Sequence, residues 1–508
     1  MTLAHRLYTV GAIRRIEQSA LRTLPPFTLM QRAGAASAAL ASELLQDLDA
    51  PKILIIAGPG NNGGDALEAA HLLSKTGDVT VVLTTAPGNL PTDAQTAWRH
   101  AQDSHVHWLA QDNQDQLKQT SWDLVIDGLF GIGLMRAVTE NNAQLIRTIN
   151  ALHARYVLAL DVPSGLDADT GNIVGLTSGC AIQATHTLTF IGNKAGLHTG
   201  DGPDHAGIVH VADLSLDPAL LHTTRMQRTR IADFGNMLRA RRQNTHKGSY
   251  GNAVIIGGAA GMLGAAILSA RTAAKLGTGR VFLAMLDPHF SLDLQQPEIM
   301  CRAIDNMPSD AKTLVVGPGL GTARAAHDVL AKALQTNAAL VLDADALNLL
   351  AMEMSLQKKL QGTRRPLILT PHPLEAARLL DCDTAAVQSD RVAAARTLAS
   401  RLHAIVILKG AGSIIAKPDG EIMINPTGNP GLATAGAGDV LAGVCGALLA
   451  QDWPAWEAAL AATWMHGHAA DDLVEQGIGP IGLTASELIP AIRSTLNQLV
   501  NAHQPRQI

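Results

Sequence analysis

Short unbroken apolar runs alternate along the chain with stretches whose apolar positions recur at helical spacing. Runs without polar alternation belong to strands covered on both faces, which means a parallel sheet with crossover helices. In the first half, Lys52–Ala57, Val79–Thr84, Leu124–Asp127 and Tyr156–Asp161 predict such strands, and Thr185–Ile191 is a further β-like run. Asp65–Lys75 predicts the helix after the first strand, and Ala12–Leu21 and Leu29–Leu45 predict two helices ahead of it. Parallel strands present ligand-binding loops at their carboxyl ends, where Asp127 and Asp161 stand.

The alternation lapses from Leu214 to about Thr245, which predicts a connection containing a short helix. Its basic residues (Arg225, Arg228, Arg230, Arg239, Arg241 and Arg242) read as a solvated face. Strands then resume at Asn252–Gly257, Leu314–Gly317, Ala339–Asp343, Leu367–Thr370 and Ala404–Lys409. The last predicted helices are Asp439–Ala450 and Ala455–Glu475. No internal repeat links the halves, so two different α/β domains are expected, 1–225 and 226–508. At 508 residues the chain is also too long for a single hydrophobic core.

Composition narrows the class. Apolar residues make up 47% and charged residues 16%, a globular balance. A formal charge of −5 gives no reason to expect nucleic acid or an anionic membrane as partner. Gly248–Ala270 lacks charge and is long enough to span a bilayer, but its glycines divide it into strand, turn and helix start. The N-terminus has no apolar signal segment, and the four cysteines lack metal or redox spacing. These features point to a cytoplasmic, reducing setting.

Gly58-Pro-Gly-Asn-Asn-Gly-Gly-Asp65 follows a strand and opens a helix, the place where backbone N–H groups can meet a phosphate. The second strand ends in Thr84-Thr85, without the carboxylate that grips a dinucleotide ribose, so an ordinary dehydrogenase is disfavoured. Asp127-Gly-Leu-Phe-Gly-Ile-Gly133 and Asp161-Val-Pro-Ser-Gly165 lie at the same sheet edge, with Lys194 after a further strand. A carboxylate and an ammonium there can exchange protons with a substrate, or equally form a structural ion pair.

This combination resembles the YjeF N-terminal family, the NAD(P)H-hydrate epimerases, over roughly the first 220 residues. The resemblance implies a Rossmann-like three-layer αβα domain. It also implies a potassium ion held by Asn62, Asp127 and Ser164. Hydrated nicotinamide nucleotide would be held by Asn61, Asn62, Gly63, Gly64 and Asp65, by Gly131, Ile132, Gly133, Leu134, Met135, Arg136 and Ala137, and by Asp161. Asp161 and Lys194 would transfer protons at C6. Ala66 replaces a usual glycine and Glu17 a usual aspartate; the extra methyl at Ala66 is expected to narrow the site.

In the second half, Thr434-Ala-Gly-Ala-Gly-Asp439 precedes an apolar helix. Glycines at a helix start leave N–H groups free for developing phosphate charge, and Asp439 is placed to act as a base. Further polar or glycine-rich loops end the strands: Gly317–Gly321, Asp343–Asn348, Thr370–Glu375 and Lys409–Ser413, with Pro426–Gly431 leading into the helix. With His246-Lys-Gly-Ser-Tyr-Gly251, this set resembles the ribokinase-like ADP- or ATP-dependent NAD(P)H-hydrate dehydratases from about residue 235 to 500.

That resemblance implies a second αβα domain, ribokinase-like, fused to the first. Lys409, Gly410, Ala411, Gly412, Ser413 and Gly438 would bind the nucleotide, and Ala265, Gly321, His372 and Asp439 the hydrated cofactor. Glu375 would help place Mg2+ or an ordered water, and Leu374 replaces a usual glycine beside it. A kinase for vitamin-precursor alcohols would share the glycine loop but leave His246–Gly251 and the first half unexplained. A non-catalytic N-terminal binding module is the other rival. His466, His468, Trp453, Trp456 and Trp464 sit at helical spacing and read as packing or inter-subunit residues, and the family implies a homo-oligomer.

Overall fold

The structure, a computed structural model, describes residues 3–175, 179–221, 224–360 and 365–503. The chain divides into two compact units, Met1–Gln227 and Arg228–Ile508.

The first unit is built on strands β1 (Lys52–Ala57), β2 (Asp78–Leu83), β3 (Val106–Leu109), β4 (Leu124–Gly128), β5 (Tyr156–Leu160), β6 (His186–Phe190) and β7 (Ile208–Ala212). Their order is β3-β2-β1-β4-β5-β6-β7, and every neighbouring pair is parallel. The order reverses direction between β1 and β4, so their carboxyl ends open a crevice. Side chains alternate between two cores. Ile53, Ile55 and Ala57 face the helices Val10–Ala20, Thr28–Leu44 and Asn61–Leu73, whereas Leu54 and Ile56 face Leu145, Ile146 and Ile149 of the helix Glu140–Ala151. This is a three-layer αβα sandwich with the sheet buried on both sides.

The second unit contains β8 (Asn252–Gly257), β9 (Arg280–Met285), β10 (Met300–Arg302), β11 (Thr313–Val316), β12 (Ala339–Leu342), β13 (Leu367–Leu369), β14 (Ile405–Leu408), β15 (Ile414–Ala416) and β16 (Ile422–Ile424). They run in the order β16-β15-β14-β13-β12-β11-β8-β9-β10. Pairs from β10 through β14 are parallel, and β15 and β16 continue the sheet as an antiparallel hairpin. Ile255, Val315, Val341 and Ile407 pack on the helices Leu263–Lys275, Ala437–Ala450 and Ala455–Glu475. Val254, Ile256, Leu340 and Leu342, pointing the other way, are buried as well.

Several expectations change. The helix after β1 starts at Asn61, not Asp65, and ends at Leu73. Its first turn contains Asn-Asn-Gly-Gly-Asp because tertiary packing overrides the poor helix propensity of paired glycines. A methyl group at Gly63 would lie 2.0 Å from the Gly58 carbonyl oxygen, a close approach only glycine permits. Ala485–His503 forms a final helix despite the internal Pro490, with Leu488, Ile489 and Ile492 buried. Residues 214–245 hold 3₁₀ turns at Pro218–Leu220, Ile231–Asp233 and Gly235–Met237 but no α-helix among the described residues; 222–223 lie outside these. Nor is its basic cluster wholly solvated. Arg230 bonds Asp233 at 2.6 Å, Arg228 is half-buried, and Arg241 covers the Tyr250 ring at 3.6 Å. Gly248–Ala270 divides into β8 and a helix as expected, and no described helix is long and apolar enough to cross a membrane.

Candidate active sites

In the first unit, a cavity of about 870 Å³ opens over the carboxyl ends of β1, β4 and β5. Its lining includes Asn61, Asn62, Asp65, Gly131–Arg136 and Asp161, together with Arg14 and Glu17 from the first helix. Asp161 stands just past β5 with φ 65°, a left-handed conformation that turns its carboxylate back over the sheet edge. Lys194 is fully buried, and its ammonium donates to Asp161 Oδ1 at 2.5 Å, Thr189 Oγ1 at 2.7 Å and the Phe190 carbonyl at 2.8 Å. An ammonium has three hydrogens, so all are engaged. Burial pulls the Lys194 pKa below its ordinary value, against the attraction of Asp161. The second oxygen of Asp161 lies beside the loop, 3.5 Å from the Ile132 N–H.

Beside this pair lies a dense oxygen cluster. Asp127 is fully buried and accepts from Ser164 Oγ at 2.6 Å, Ser164 N at 2.8 Å and Leu129 N at 3.1 Å. Burial still pushes its carboxyl up to about 6. Asn62 donates through Nδ2 to the Leu160 carbonyl at 3.1 Å, while its buried Oδ1 has no hydrogen-bond partner. An orphaned buried oxygen and a buried carboxylate without a cation partner, both at the carboxyl edge of the sheet, suit a hard cation.

Three residues assigned to substrate do not line the cavity. Gly63 and Gly64, in the first turn of the helix, pack against Gly58 and against Met30 and Ala94, and Ala137 lies against Gly175. Ala66 does not narrow the site either. It is fully buried, and its methyl group fills the space that a side chain at Gly128 would need.

In the second unit, the helix Ala437–Ala450 begins after Gly436, whose φ of 90° turns the chain into it. Lys409 at the end of β14 bonds Asp343 Oδ1 at 2.9 Å, and a methyl group at Gly438 would lie 3.2 Å from its ammonium nitrogen. Glu375 lies 4.0 Å from the same nitrogen. Burial opposes the charge of Lys409, but Asp343 and Glu375 outweigh it and raise its pKa. Asp439, in the first turn, is pushed up to about 7 by burial and by Asp343, with Lys409 acting the other way.

His372 and Glu375 form a capping box. His372 Nδ1 accepts from Leu374 N at 3.1 Å and Glu375 N at 3.3 Å, and Glu375 Oε2 accepts from His372 N at 2.8 Å. Both Glu375 oxygens face His372 or Lys409, so its carboxylate braces these two side chains. Leu374 is 43% exposed and does not disturb the cap. Gly321 donates its N–H to Asp345 at 2.8 Å, and Ala265 lies against Gly319. Ser413 and Gly410 close the loop after Lys409 on themselves.

Some contributors carry no local sequence signal. Arg391, buried in the helix Arg391–Leu402, donates to the Lys409 carbonyl at 3.2 Å and holds the start of that loop. His466 is buried against the Ala437 carbonyl at 3.0 Å, and burial pulls it down to about 4. It anchors the first turn of the helix, in keeping with a packing role. Thr189, on β6, completes the ring of acceptors around Lys194.

A doubly wound unit with a carboxylate–ammonium pair at its crevice, joined to one with an acid and an ammonium at a glycine-opened helix start, defines a two-site enzyme. Residues 26–196 match the family described as YjeF-related protein N-terminus, and 253–493 match the NAD(P)H-hydrate dehydratases. Over 503 residues the chain is 37% identical to the bifunctional NAD(P)H-hydrate repair enzyme Nnr of Coxiella burnetii, covering 97% of this chain and 99% of that protein. It is 44% identical over 275 residues to the ADP-dependent (S)-NAD(P)H-hydrate dehydratase of Neisseria meningitidis, covering 53% of this chain and 93% of that one. A solved ADP/ATP-dependent NAD(P)H-hydrate dehydratase from Bacillus subtilis, co-crystallised with ATP and Mg2+, aligns with a TM-score of 0.46 at 27% identity over 52% of this chain and 97% of that chain. The chain belongs to the bifunctional NAD(P)H-hydrate repair enzymes.

Proposed function

We propose that the first unit interconverts the R and S forms of hydrated NADH and NADPH at C6, and that the second returns the S form to NAD(P)H using ADP, or ATP. What carries this reading is Asp439, a carboxyl held near neutrality beside Gly438 and Lys409. As a carboxylate it takes the proton of the C6 hydroxyl while that oxygen attacks the terminal phosphoryl group of the nucleotide. Helix N–H groups at Gly438 and the Lys409 ammonium stabilise the phosphoryl charge. Phosphate then leaves C6 with the bonding electrons, the N1 lone pair fills the gap, and loss of a C5 proton restores the double bond. Phosphate is a far better leaving group than hydroxide.

Gly410, Ala411, Gly412 and Ser413 hold the nucleotide, and Ala265, Gly321 and His372 the hydrate. Mg2+ enters with the nucleotide, bound mainly by its phosphates, as suits an ion that keeps several waters. In the first unit, Asn61, Asn62, Asp65, the 131–136 loop and Asp161 hold the hydrate. Asp161 moves protons and Lys194 positions it through their ion pair. Asn62 Oδ1, Asp127 and Ser164 would hold K+, supported by the orphaned Asn62 oxygen, and the ion would supply fixed positive charge under the nucleotide. A homo-oligomer in the cytoplasm is the setting we expect.

The test is recovery of NADH absorbance from mixed R and S hydrate. ADP is expected to drive full recovery. Asp439→Ala is expected to abolish it, and Asp161→Ala to slow it to the spontaneous epimerisation rate once the S form is consumed. No recovery with either nucleotide would sink the dehydratase assignment and leave the vitamin-precursor alcohols to be screened.

A further inference from the structure

The cavity of the first unit holds more acid than its cations can balance. Charged side chains reach it from several elements: Arg14 and Glu17 from the first helix, Asp65 from the helix after β1, Asp93 from the helix Thr92–Gln102, Arg136 from the loop and Asp161 from just past β5. Lys194 is committed to Asp161, Arg14 and Arg136 are exposed at the rim, and Asp93 accepts the Phe27 N–H at 3.2 Å. Glu17 is half-buried; burial and then Asp161 raise its pKa, with Arg14 on its own helix and Lys194 acting the other way.

Asp65 and Glu17 are the two acids here whose carboxyls make no hydrogen bond or ion pair among the described residues, and Asp65 is the more buried. It is 9% exposed, lines the cavity and has no lysine or arginine on its own helix. Burial, then Asp161 and Glu17, raise its pKa well above the ordinary carboxylate range. Other titratable groups on this helix lie elsewhere, with Glu68 bonded to His100 and His71 bonded to the His100 carbonyl.

We infer that Asp65 is the general acid of the epimerase site, the partner of the Asp161 base, an assignment that rests on the epimerase reading above. The C6 hydroxyl of the hydrate sits on a carbon bonded to N1, so inversion can proceed by loss and return of water. Asp65 gives its proton to the hydroxyl oxygen. The C6–O bond breaks with both electrons going to oxygen, water departs, and the N1 lone pair forms the N1=C6 bond. Water then adds to the other ring face, the N1=C6 electrons return to nitrogen, and Asp161 takes the released proton. Transfer of that proton from Asp161 to Asp65 closes the cycle. A buried carboxyl without a cation and a carboxyl bonded to an ammonium give the site two different groups for the acid and the base roles.

The experiment is epimerisation of pure R hydrate by the full chain in H₂¹⁸O across a range of pH. Each inversion should place one ¹⁸O at C6. The turnover number should fall about tenfold per pH unit above the Asp65 ionisation, since the acid form is the active one. Asp65→Asn should lower turnover by about 10²- to 10⁴-fold with little change in KM and remove that pH dependence. Asp65→Glu should recover part of the rate. Inversion without ¹⁸O would overturn the proposal, because the C6–O bond would not have broken. So would wild-type turnover in Asp65→Asn, or a loss of the pH dependence in Glu17→Gln instead. Should Asp65→Asn fail to fold, the wild-type isotope and pH measurements still decide. A wild-type chain that does not invert the hydrate at all would defeat the epimerase reading itself, a separate outcome.

Discussion

Lys409 and Asp343, 66 positions apart in sequence, meet at 2.9 Å where β14 and β12 end. Asp343 is 1% exposed and also accepts from Thr370 Oγ1 at 2.7 Å, so its carboxylate is satisfied only while both partners remain. Removing one member of a buried pair leaves an uncompensated charge, which costs about 3–5 kcal/mol. Asp343→Ala should therefore destabilise the second unit by about that amount, whereas Asp343→Asn, which keeps the Thr370 bond, should cost less. Urea unfolding of the two variants provides the comparison, and equal losses would count against the pairing.

The Asp439 carboxyl is pushed up to about 7. A base works deprotonated, so the dehydratase rate should rise with pH through about 7 and level off above it. Asp439→Asn should remove the reaction while leaving R/S inversion in place. A rate–pH profile on the S hydrate, with nucleotide saturating, tests both points, and a flat profile between pH 5 and 9 would contradict the role.

Lys194 uses all its hydrogens inside the protein, so we expect it to position Asp161 and not to exchange protons with substrate. Lys194→Met should leave the buried Asp161 carboxyl without its cation and lower the rate of R/S inversion. The loss should be visible in kcat, with KM for the hydrate changing little. A mutant with wild-type kcat would show that Lys194 does not support Asp161.

Ala66 and Gly128 share one space. A methyl group at Gly128 would lie 2.4 Å from Ala66 Cβ and 2.9 Å from the Asn62 carbonyl oxygen. Gly128→Ala should therefore destabilise the first unit by about 1–3 kcal/mol, the usual range for overpacking. Adding Ala66→Gly should restore only part of it, because the Asn62 carbonyl remains in the way. A double-mutant cycle followed by thermal unfolding measures the coupling.

The central strands were legible in the sequence because burial on both faces writes a continuous apolar run, as in Lys52–Ala57 and Asn252–Gly257. Elements that depend on neighbours were not. Arg280–Met285 follows a glycine-rich turn and opens with an arginine, and the hairpin strands Ile414–Ala416 and Ile422–Ile424 are too short to carry a period. Pro490 hid the last helix, whose apolar face becomes evident only against its partners. At the sites, strand-end aspartates and glycine loops stood out as residue types in sequence. The engagement of Lys194 by Thr189, the support of Lys409 by Arg391 and the bare oxygen of Asn62 exist only between distant segments.

Each compact unit has its own sheet and its own buried core. Two catalysts made as separate polypeptides drift in proportion with synthesis, turnover and dilution. Here peptide continuity sets their stoichiometry at one to one at any concentration, so the supply of the S form and its consumption scale together however much of the protein a cell contains.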